Sequence, residues 1–386
     1  MRDARRAAKR VIFLTGTRAD YGKLKPIMLA VDADPGFEAH VFITGMHMHR
    51  EFGSTYTEVV RDGYKNTYPF INQRIEGDAN MDIVLAETIR GLSDFAREVQ
   101  PDLIVVHGDR VEALAGAIVA ATNNVLLVHI EGGELSGTVD GSIRHAITKL
   151  AHVHLVANME ARERVLQLGE DPASVHVIGS PDIDVMLGSG LPSIHQVKQR
   201  YEIPYTRFGV ATLHPVTTDY TKMLGNSEAF VSGLLATDLD YVIIHPNNDL
   251  GRAFVMEAYK RLAGNARFRL LPSMRFEYFL TLLKHASVIV GNSSAGIREA
   301  GVYGVPSVDV GDRQIGRYRA DAGILHADYD PDVIAATVDH AIRSGRAAEL
   351  SFGAGDSTER FMDLVKGAVM WESPLQKPFF DLAPAA

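Results

Sequence analysis

The sequence predicts an α/β protein made of two domains, each with a parallel β-sheet covered by helices. Its 386 residues suit two domains, because single domains commonly hold about 100–200 residues. The candidate strands are continuous apolar runs rather than alternating ones, which is typical of parallel strands covered on both faces. Amphipathic helices lie between them, and the clearest is residues 82–99. We expect the two domains to face each other across a central cleft.

The first domain is predicted at residues 11–184. Its strands are predicted at 11–15, 39–44, 103–107, 125–129, 154–156 and 175–178. Residues 1–10 contain five basic side chains and one acidic side chain, and we interpret them as a disordered basic tail. No apolar stretch of a secretory signal follows this tail, so we expect a cytoplasmic protein.

The second domain is predicted at residues 185–386. A stretch rich in Gly, Pro, Ser and Asp at 179–192 separates it from the first domain. Its strands are predicted at 209–213, 241–245, 287–290 and 305–310, with helices at 276–285 and 358–371. The same alternation of strand and helix therefore occurs in both halves.

Composition excludes several classes of protein. The chain has no cysteine, which removes disulfide scaffolds, thiolate nucleophiles and Cys-ligated metals. A net charge of −9 argues against nucleic-acid binding, and no apolar run approaches the roughly 18 residues of a membrane span. No GxGxxG follows a strand, and the His47/His49 and His152/His154 pairs lack a third ligand nearby. We expect no metal, no cofactor, no nucleic acid and no membrane partner.

Acidic residues follow two predicted strands of the first domain. Asp109 comes after the strand at 103–107, and Glu131 and Glu134 come after the strand at 125–129. Ligands of open α/β sheets bind at the carboxyl ends of strands, so these acids are expected to converge. Asp140 is predicted in a Gly-rich loop just before the next helix, where it is either a helix cap or a further catalytic acid.

A candidate anion site lies in the second domain. Ser293 and Ser294 join a predicted strand to a predicted helix, and backbone N–H groups at a helix N-terminus bind anions. Simple helix capping is the alternative. Arginine guanidinium groups can bind phosphate through two N–H groups at once, and candidates occur in both halves of the chain: Arg18, Arg313 and Arg317. Glu299, within that helix, either accepts from ribose hydroxyls or is an ordinary solvated residue.

Two further strand ends of the second domain carry polar residues. His214 closes one strand and is either a diphosphate contact or a buried core imidazole. Asn247 follows the next strand, in a segment that also fits a simple turn. Together these features indicate a nucleotide-diphosphate site that faces carboxylates, as expected for two α/β domains binding a nucleotide sugar.

These segments resemble a known family. The motifs are GTRADYGKLKPIM, IVVHGDR, HIEGGELSGTVDGSIRHAITKLAHVHL, LHPVTTD, GNSSAGIRE and GDRQIGR. They are similar to those of the hydrolysing UDP-N-acetylglucosamine 2-epimerases, both the bacterial enzymes of sialic-acid pathways and the epimerase half of the animal bifunctional epimerase/kinase. The resemblance runs from about residue 11 to about residue 365.

The resemblance implies a glycosyltransferase-B fold of two Rossmann-like domains, with the last helix packing back on the first domain. It implies production of N-acetylmannosamine and UDP from UDP-N-acetylglucosamine, without a cofactor, by a homodimer or homotetramer. The implied catalytic acids are Asp109, Glu131 and Asp140. The implied UDP contacts are Arg18, Arg110, His214, Asn247, Met274, Ser293, Ser294, Glu299 and Arg313. Additional candidates are Glu134, Arg144, His145, His47 and Arg317.

Four alternatives stay open at this point. The same reaction could act on UDP-2,4-diacetamido-2,4,6-trideoxyglucose, as it does in some relatives. The chain could be a non-hydrolysing epimerase that returns UDP-N-acetylmannosamine. It could be a glycosyltransferase of the same fold, or a nucleotide-sugar sensor that binds UDP and releases no free sugar.

Overall fold

The computed structural model describes residues 8–73, 80–136, 139–247, 249–316 and 323–381. The chain divides into two compact units. The first unit contains the described residues of Met1–Glu134, Asp140–Leu187 and Phe352–Ala386. The second unit contains those of Leu135–Val139 and Gly188–Ser351.

Each unit is built on one sheet. The strands of the first unit are β1 Lys9–Thr15, β2 Phe37–Ile43, β3 Asn66–Pro69, β4 Leu103–His107, β5 Leu126–Ile130, β6 Val153–Val156 and β7 Val175–Val177. Those of the second unit are β8 Phe208–Thr212, β9 Asp240–Ile244, β10 Phe268–Leu271, β11 Ile289–Gly291, β12 Ser307–Val310 and β13 Ile324–Ala327. The spatial orders are β3-β2-β1-β4-β5-β6-β7 and β10-β9-β8-β11-β12-β13, and every pairing described is parallel.

Helices connect these strands. In chain order they are α1 Arg18–Ala33, α2 Tyr56–Arg61, α3 Met81–Val99, α4 Val111–Thr122, α5 Val139–Leu150, α6 Met159–Gln167, α7 Pro181–Leu187, α8 Ile194–Tyr201, α9 Met223–Ala236, α10 Arg252–Tyr259, α11 Phe276–Lys284, α12 Glu299–Val302, α13 Pro331–Ser344 and α14 Ser357–Lys366. Within the described part of the chain, no helix is long and apolar enough to cross a membrane.

The first sheet is covered on both faces, as the continuous apolar runs predict. Phe13 of β1 packs in one hydrophobic cluster, and its neighbours Ile12 and Leu14 pack in another. Helix α14 returns to the first unit, where Phe361 joins the cluster of Phe13 with ring centroids 6.5 Å apart. The predicted fold class, α/β with two parallel sheets, is confirmed.

Several element boundaries differ from the prediction. The stretch at 179–192, predicted as a break, contains α7, and the chain leaves the first unit after Leu187. Lys9 and Arg10, which we had placed in the basic tail, begin β1 because they continue the pairing with β2. The rest of the predicted tail, residues 1–7, lies outside the described residues.

In both sheets the strand order reverses beside the first strand of the unit. β1 lies between β2 and β4, and β8 lies between β9 and β11. Crevices for ligands form at the carboxyl ends of strands beside such reversals. The loops after β1, β4, β8 and β11 flank these reversals, and the loops after β5, β9 and β12 follow the neighbouring strands at the same edges of the sheets.

Candidate active site

Two neighbouring strands of the first sheet lead into acidic residues. Asp109 lies just after β4, Glu131 follows β5 directly, and Glu134 lies shortly beyond it. Arg144 of α5 joins them, because its guanidinium donates to the Asp109 carboxylate, to Glu134 Oε2 at 3.3 Å and to the Glu131 carbonyl at 2.9 Å. The structure thus brings Asp109, Glu131 and Glu134 together, as the strand-end argument predicts.

Arg144 is the buried cation of this cluster. Burial alone lowers its pKa, but the carboxylates of Asp109 and Glu134 outweigh that effect and raise the pKa. The guanidinium therefore stays charged and fixes the acids around it. The Asp109 side chain keeps 23% of its exposure, so the ion pair orients this carboxylate without sealing it from solvent.

Glu131 is held from both its backbone and its carboxylate. Its φ of 65° lies in the left-handed region, which a non-glycine residue adopts at a cost and which recurs at functional sites. The Ser180 hydroxyl donates to Oε1, and His107 Nε2 lies 3.1 Å from Oε2. With only 4% exposure, Glu131 is a buried carboxylate whose two oxygens face different groups.

Helix α5 also carries Asp140 and His145. Asp140 had been predicted in a loop before the helix, and that was wrong, because α5 begins at Val139 and Asp140 lies in its first turn. Residues four apart share a helix face, which places Asp140 on the side of Arg144. His145 is half-buried, and burial and then the Arg144 charge lower its pKa.

The predicted arginine contacts of the first unit already have carboxylate partners. Arg18, at the start of α1, makes a two-pronged pair with Glu58, with distances of 2.5 Å and 3.0 Å. Arg110 precedes α4, and its Nε lies 3.2 Å from Glu112 Oε2. Both guanidinium groups are therefore held in place by acids that the sequence analysis did not single out.

His47 is a fully buried core imidazole. Its Nε2 lies 3.0 Å from Thr15 Oγ1 and its Nδ1 lies 2.6 Å from Thr55 Oγ1. Burial lowers the pKa of His47 to about 4, so the ring is neutral at pH 7. This candidate is placed beside threonines rather than in the acidic cluster.

In the second unit, His214 and Asn292 form one fixed arrangement. The buried Asn292 amide accepts from the His214 backbone N–H at 2.6 Å and donates to its carbonyl at 2.9 Å. The backbone N–H of Asn247 donates to His214 Nδ1 at 3.1 Å, so the neutral ring carries its proton on Nε2. The structure therefore brings His214 and Asn247 together, and His214 is partly exposed rather than fully buried.

The predicted helix after Ser293 and Ser294 is not continuous, which corrects the argument from a helix dipole. A 3₁₀ turn at Ser294–Gly296 is followed by the four-residue α12. Ser293 caps the turn, since its hydroxyl accepts from the backbone N–H of Ala295 at 3.3 Å. Anion binding here would rest on hydroxyls and individual N–H groups, because so short a helix has little dipole.

The other predicted UDP contacts differ in their burial and in their partners. Arg313 follows β12 and donates to the Asn292 carbonyl at 3.1 Å, beside Gln314 at 2.7 Å. Glu299 is 4% exposed, so its interpretation as a solvated residue is wrong. The side chain of Met274 is buried in the core, which leaves its backbone for the implied UDP contact. Arg317 lies outside the described residues.

Five residues that hold these candidates, or that hold Asn292 beside them, were not predicted from the sequence: Ser180, Glu58, Glu112, Asn292 and Gln314. Ser180 could have been found, because it lies just beyond β7 and the strand-end argument applies to it as well. Among the described residues, no group of three His, Asp or Glu side chains could hold a metal ion. The first unit therefore offers carboxylates, and the second unit offers hydroxyl, imidazole and guanidinium donors.

Known proteins resemble this chain over most of its length. The model of the UDP-N-acetylglucosamine 2-epimerase family matches residues 29–366. The UDP-N-acetylglucosamine 2-epimerase of Neisseria meningitidis serogroup B is 47% identical over 97% of this chain and 99% of that protein. The UDP-N,N'-diacetylbacillosamine 2-epimerase (hydrolyzing) of Legionella pneumophila is 28% identical over 96% of this chain and 98% of that protein.

A solved structure supports the fold. The UDP-GlcNAc 2-epimerase of Methanocaldococcus jannaschii in complex with UDP-GlcNAc and UDP aligns with a TM-score of 0.77 and 20% identity, over 93% of this chain and 99% of that one. The two parallel-sheet units are thus of the glycosyltransferase-B type, as predicted. On the family match and the 47% identity, the chain belongs to the UDP-N-acetylglucosamine 2-epimerase family.

Proposed function

We propose that the protein is a hydrolysing UDP-N-acetylglucosamine 2-epimerase, which converts UDP-N-acetylglucosamine and water to N-acetylmannosamine and UDP. The observation that supports this most is the cluster of Asp109, Glu131 and Glu134 around Arg144, in a chain of this family. Inverting C2 requires removing one proton and returning another, and positioned carboxylates suit both steps.

The first step is elimination. The C2 proton is not next to a carbonyl, so a carboxylate alone is too weak a base to remove it. As the C1–O bond breaks, UDP leaves with the electron pair, and the positive charge developing at C1 acidifies the C2 proton. One carboxylate then takes that proton, and 2-acetamidoglucal forms.

The second step adds water. The oxygen of water bonds to C1 and gives up a proton, while C2 receives a proton on the face opposite to the one that lost it. One acid on one side of the ring cannot perform both transfers, so two of Asp109, Glu131 and Asp140 act on opposite faces. Ser180 and His107 give Glu131 a different environment from Asp109, which suits separate roles.

UDP is stabilised as a leaving group by donors at the strand ends. Electrostatic stabilisation of a developing negative charge is often the largest single contribution to catalysis. In this proposal His214 supplies its Nε2–H, and the loop after β11 supplies the hydroxyls of Ser293 and Ser294. The remaining contacts are Arg18, Arg110, Asn247, the Met274 backbone, Glu299 and Arg313.

The hydrolysing outcome is favoured over the non-hydrolysing one by two observations. The HIEGGE and IRHAITK segments resemble the hydrolysing branch more closely. The relative from Legionella pneumophila carries the word hydrolyzing in its name and aligns over almost its whole length. That name also makes a diacetamido sugar the second candidate substrate, which the test must separate.

Turnover in heavy water tests the proposal. We expect UDP and free N-acetylmannosamine with deuterium at C2, because the proton returned to C2 comes from solvent. Undeuterated N-acetylglucosamine would indicate simple hydrolysis, and UDP-N-acetylmannosamine would indicate the non-hydrolysing branch. UDP release from the diacetamido donor alone would move the proposal to that substrate. Binding of UDP without release of any sugar would indicate the sensor.

The Ser293→Ala, Ser294→Ala double variant is expected to bind UDP about tenfold more weakly, because two hydroxyl donors to the diphosphate are lost. Calorimetry with UDP measures this. Ser344→Ala is the matched control, since Ser344 is an exposed serine at the end of α13. Unchanged affinity in the double variant would place the anion site elsewhere.

The product and the assembly follow from the same resemblance. N-acetylmannosamine is the starting sugar of sialic-acid-type synthesis, so the proposed reaction is the first step of such a route. A homodimer or homotetramer is expected, and light scattering of the purified chain would distinguish them from a monomer.

A further inference from the structure

The loop after β11, residues 292–298, uses most of its backbone donors within itself. The N–H groups of Ile297 and Arg298 both donate to the Ser294 carbonyl at 3.0 Å. The N–H of Gly296 donates to the Ser293 carbonyl at 3.1 Å. Backbone carbonyls removed from water need hydrogen-bond donors, and those of Gly296 and Ile297 accept from a residue outside the loop.

Arg346 supplies those donors. Its Nη1 lies 3.1 Å from the Gly296 carbonyl oxygen, and its Nη2 lies 3.4 Å from the Ile297 carbonyl oxygen. The residue follows the end of α13, about 50 positions later in the sequence. One guanidinium therefore supports two successive peptide units of the loop that carries Ser293 and Ser294.

The surrounding chain leaves room for this guanidinium. A Cβ on Gly301 would lie 2.8 Å from Arg346 Nη2, and one on Gly323 would lie 3.0 Å from Arg346 Cγ. Burial lowers the pKa of Arg346, and Glu349 acts in the opposite direction. Burying a charged group costs free energy unless its donors are used. Here Nη1 and Nη2 donate to the loop, whereas the buried Nε has no hydrogen-bond partner among the described residues.

We propose that Arg346 is a positioning residue for UDP binding, which fixes the Ser293–Ser294 loop by holding the carbonyls of Gly296 and Ile297. This inference rests on the proposed function, because that proposal makes the loop a diphosphate contact. Because Arg346 binds both carbonyls, the 3₁₀ turn keeps its shape, and the hydroxyls of Ser293 and Ser294 keep one orientation. Less conformational freedom is then lost when the diphosphate binds.

Calorimetric titration of the full chain with UDP tests this role. Arg346→Met removes both donors, and we expect the dissociation constant to rise about tenfold, which corresponds to about 1.4 kcal/mol. Arg346→Lys keeps the charge but cannot span both carbonyls, so an intermediate loss is expected. Arg343→Met is the matched control, since it removes an exposed arginine from the last turn of α13.

Gly301→Ala is a second variant that is expected to separate the Arg346 guanidinium from the loop carbonyls. Its added methyl group would displace the guanidinium while Arg346 itself is retained, and Gly301 lies in α12 without a positive φ. We expect weaker UDP binding here as well, with the melting temperature of each variant recorded beside its affinity. This variant keeps the proposal testable even if Arg346→Met folds poorly.

The outcomes distinguish the proposed function from the positioning role of Arg346. A wild-type chain that fails to bind UDP would overturn the proposed function itself. A wild-type chain that binds UDP, with Arg346→Met and Gly301→Ala binding it equally tightly, would overturn the positioning role alone. A lowered melting temperature with unchanged affinity would show that Arg346 supports only folding, and it would also overturn the proposal.

Discussion

Replacing Glu131 by glutamine is expected to lower kcat on UDP-N-acetylglucosamine about a thousandfold while UDP binds with unchanged affinity. The amide keeps the size of the side chain and can still accept from Ser180, but it cannot take or deliver the C2 proton. General acid–base catalysis by a positioned group commonly contributes 10²–10⁴-fold, and the expected loss lies in that range. Steady-state release of UDP measures kcat, and calorimetry measures the affinity.

The control for this substitution is Glu163→Gln, which changes an exposed carboxylate on α6 of the same unit. Its kcat is expected to equal that of the wild type. Asp109→Asn is expected to behave as Glu131→Gln does, since Asp109 occupies the neighbouring strand end. If Glu131→Gln loses UDP affinity to the same degree as turnover, Glu131 holds the nucleotide or the fold rather than the proton.

Contacts within the first unit hold the Glu131 carboxylate in place. Its carboxylate accepts from Ser180, whose backbone N–H in turn donates to the Phe352 carbonyl at 2.7 Å. Phe352 is where the chain re-enters the first unit, and Asp184 of α7 caps the start of α14 just beyond it. These hydrogen bonds therefore join the segment of the first unit that ends at Leu187 to the segment that begins at Phe352, beside Glu131.

The sequence predicted the inner strands of both sheets and the edge strand β7, but not the other three edge strands. Strand β4 was predicted to the residue, because a strand buried on both faces is a continuous apolar run. The strands β3, β10 and β13 were not predicted, and all three are sheet edges. Their exposure is mixed, with polar residues such as Arg269 and His326 in the run, so no clear period appears.

The candidate site was also predicted only in part. Strand ends could be located from the sequence, so Asp109, Glu131 and Glu134 were predicted to meet, and they do. The partners that orient such groups come from distant parts of the chain. Arg18 pairs with Glu58 and Glu131 with Ser180, and no local pattern marks contacts across 40 or 49 positions.

One local interpretation failed for a physical reason. Ser293 and Ser294 were predicted to join a strand to a helix that includes Glu299, yet the chain forms one 3₁₀ turn followed by the short α12. Gly296 lies against β12, where a Cβ would come 2.5 Å from Ser307 Oγ, so the backbone passes too close to the sheet for regular packing. Such a close approach is decided by tertiary packing, which overrides local helix signals.

Replacing Glu170 by glutamine is expected to destabilise the first unit by about 3 kcal/mol at pH 7, because it removes the anion from a buried charged cluster. The Glu170 carboxylate is fully buried. It pairs with Lys149 Nζ at 2.8 Å, with His154 Nε2 at 3.0 Å and with Lys377. Lys377 also donates to the carbonyls of Thr148 and Lys149, so this cluster holds the C-terminal segment on the end of α5.

The same cluster predicts how stability depends on pH. Burial alone raises the pKa of Glu170, but His154, Lys149 and Lys377 together lower it to about 2, against 4.5 for the ordinary group. Above pH 4.5 the carboxylate is ionised in both folded and unfolded chains, so its contribution is complete there. Between pH 4.5 and 2 the unfolded chain takes up the proton first, and the stabilisation is lost.

Urea unfolding at a series of pH values between 7 and 3 measures both effects. The wild type is expected to lose stability steeply below pH 4.5, and Glu170→Gln is expected to start lower and to show a shallower slope. Glu87→Gln is the matched control, because Glu87 forms an exposed ion pair with Arg90 on α3, and such pairs contribute at most about 1 kcal/mol. Equal slopes in the wild type and Glu170→Gln would show that the carboxylate does not titrate differently on unfolding, and that the C-terminal segment is held by its other contacts.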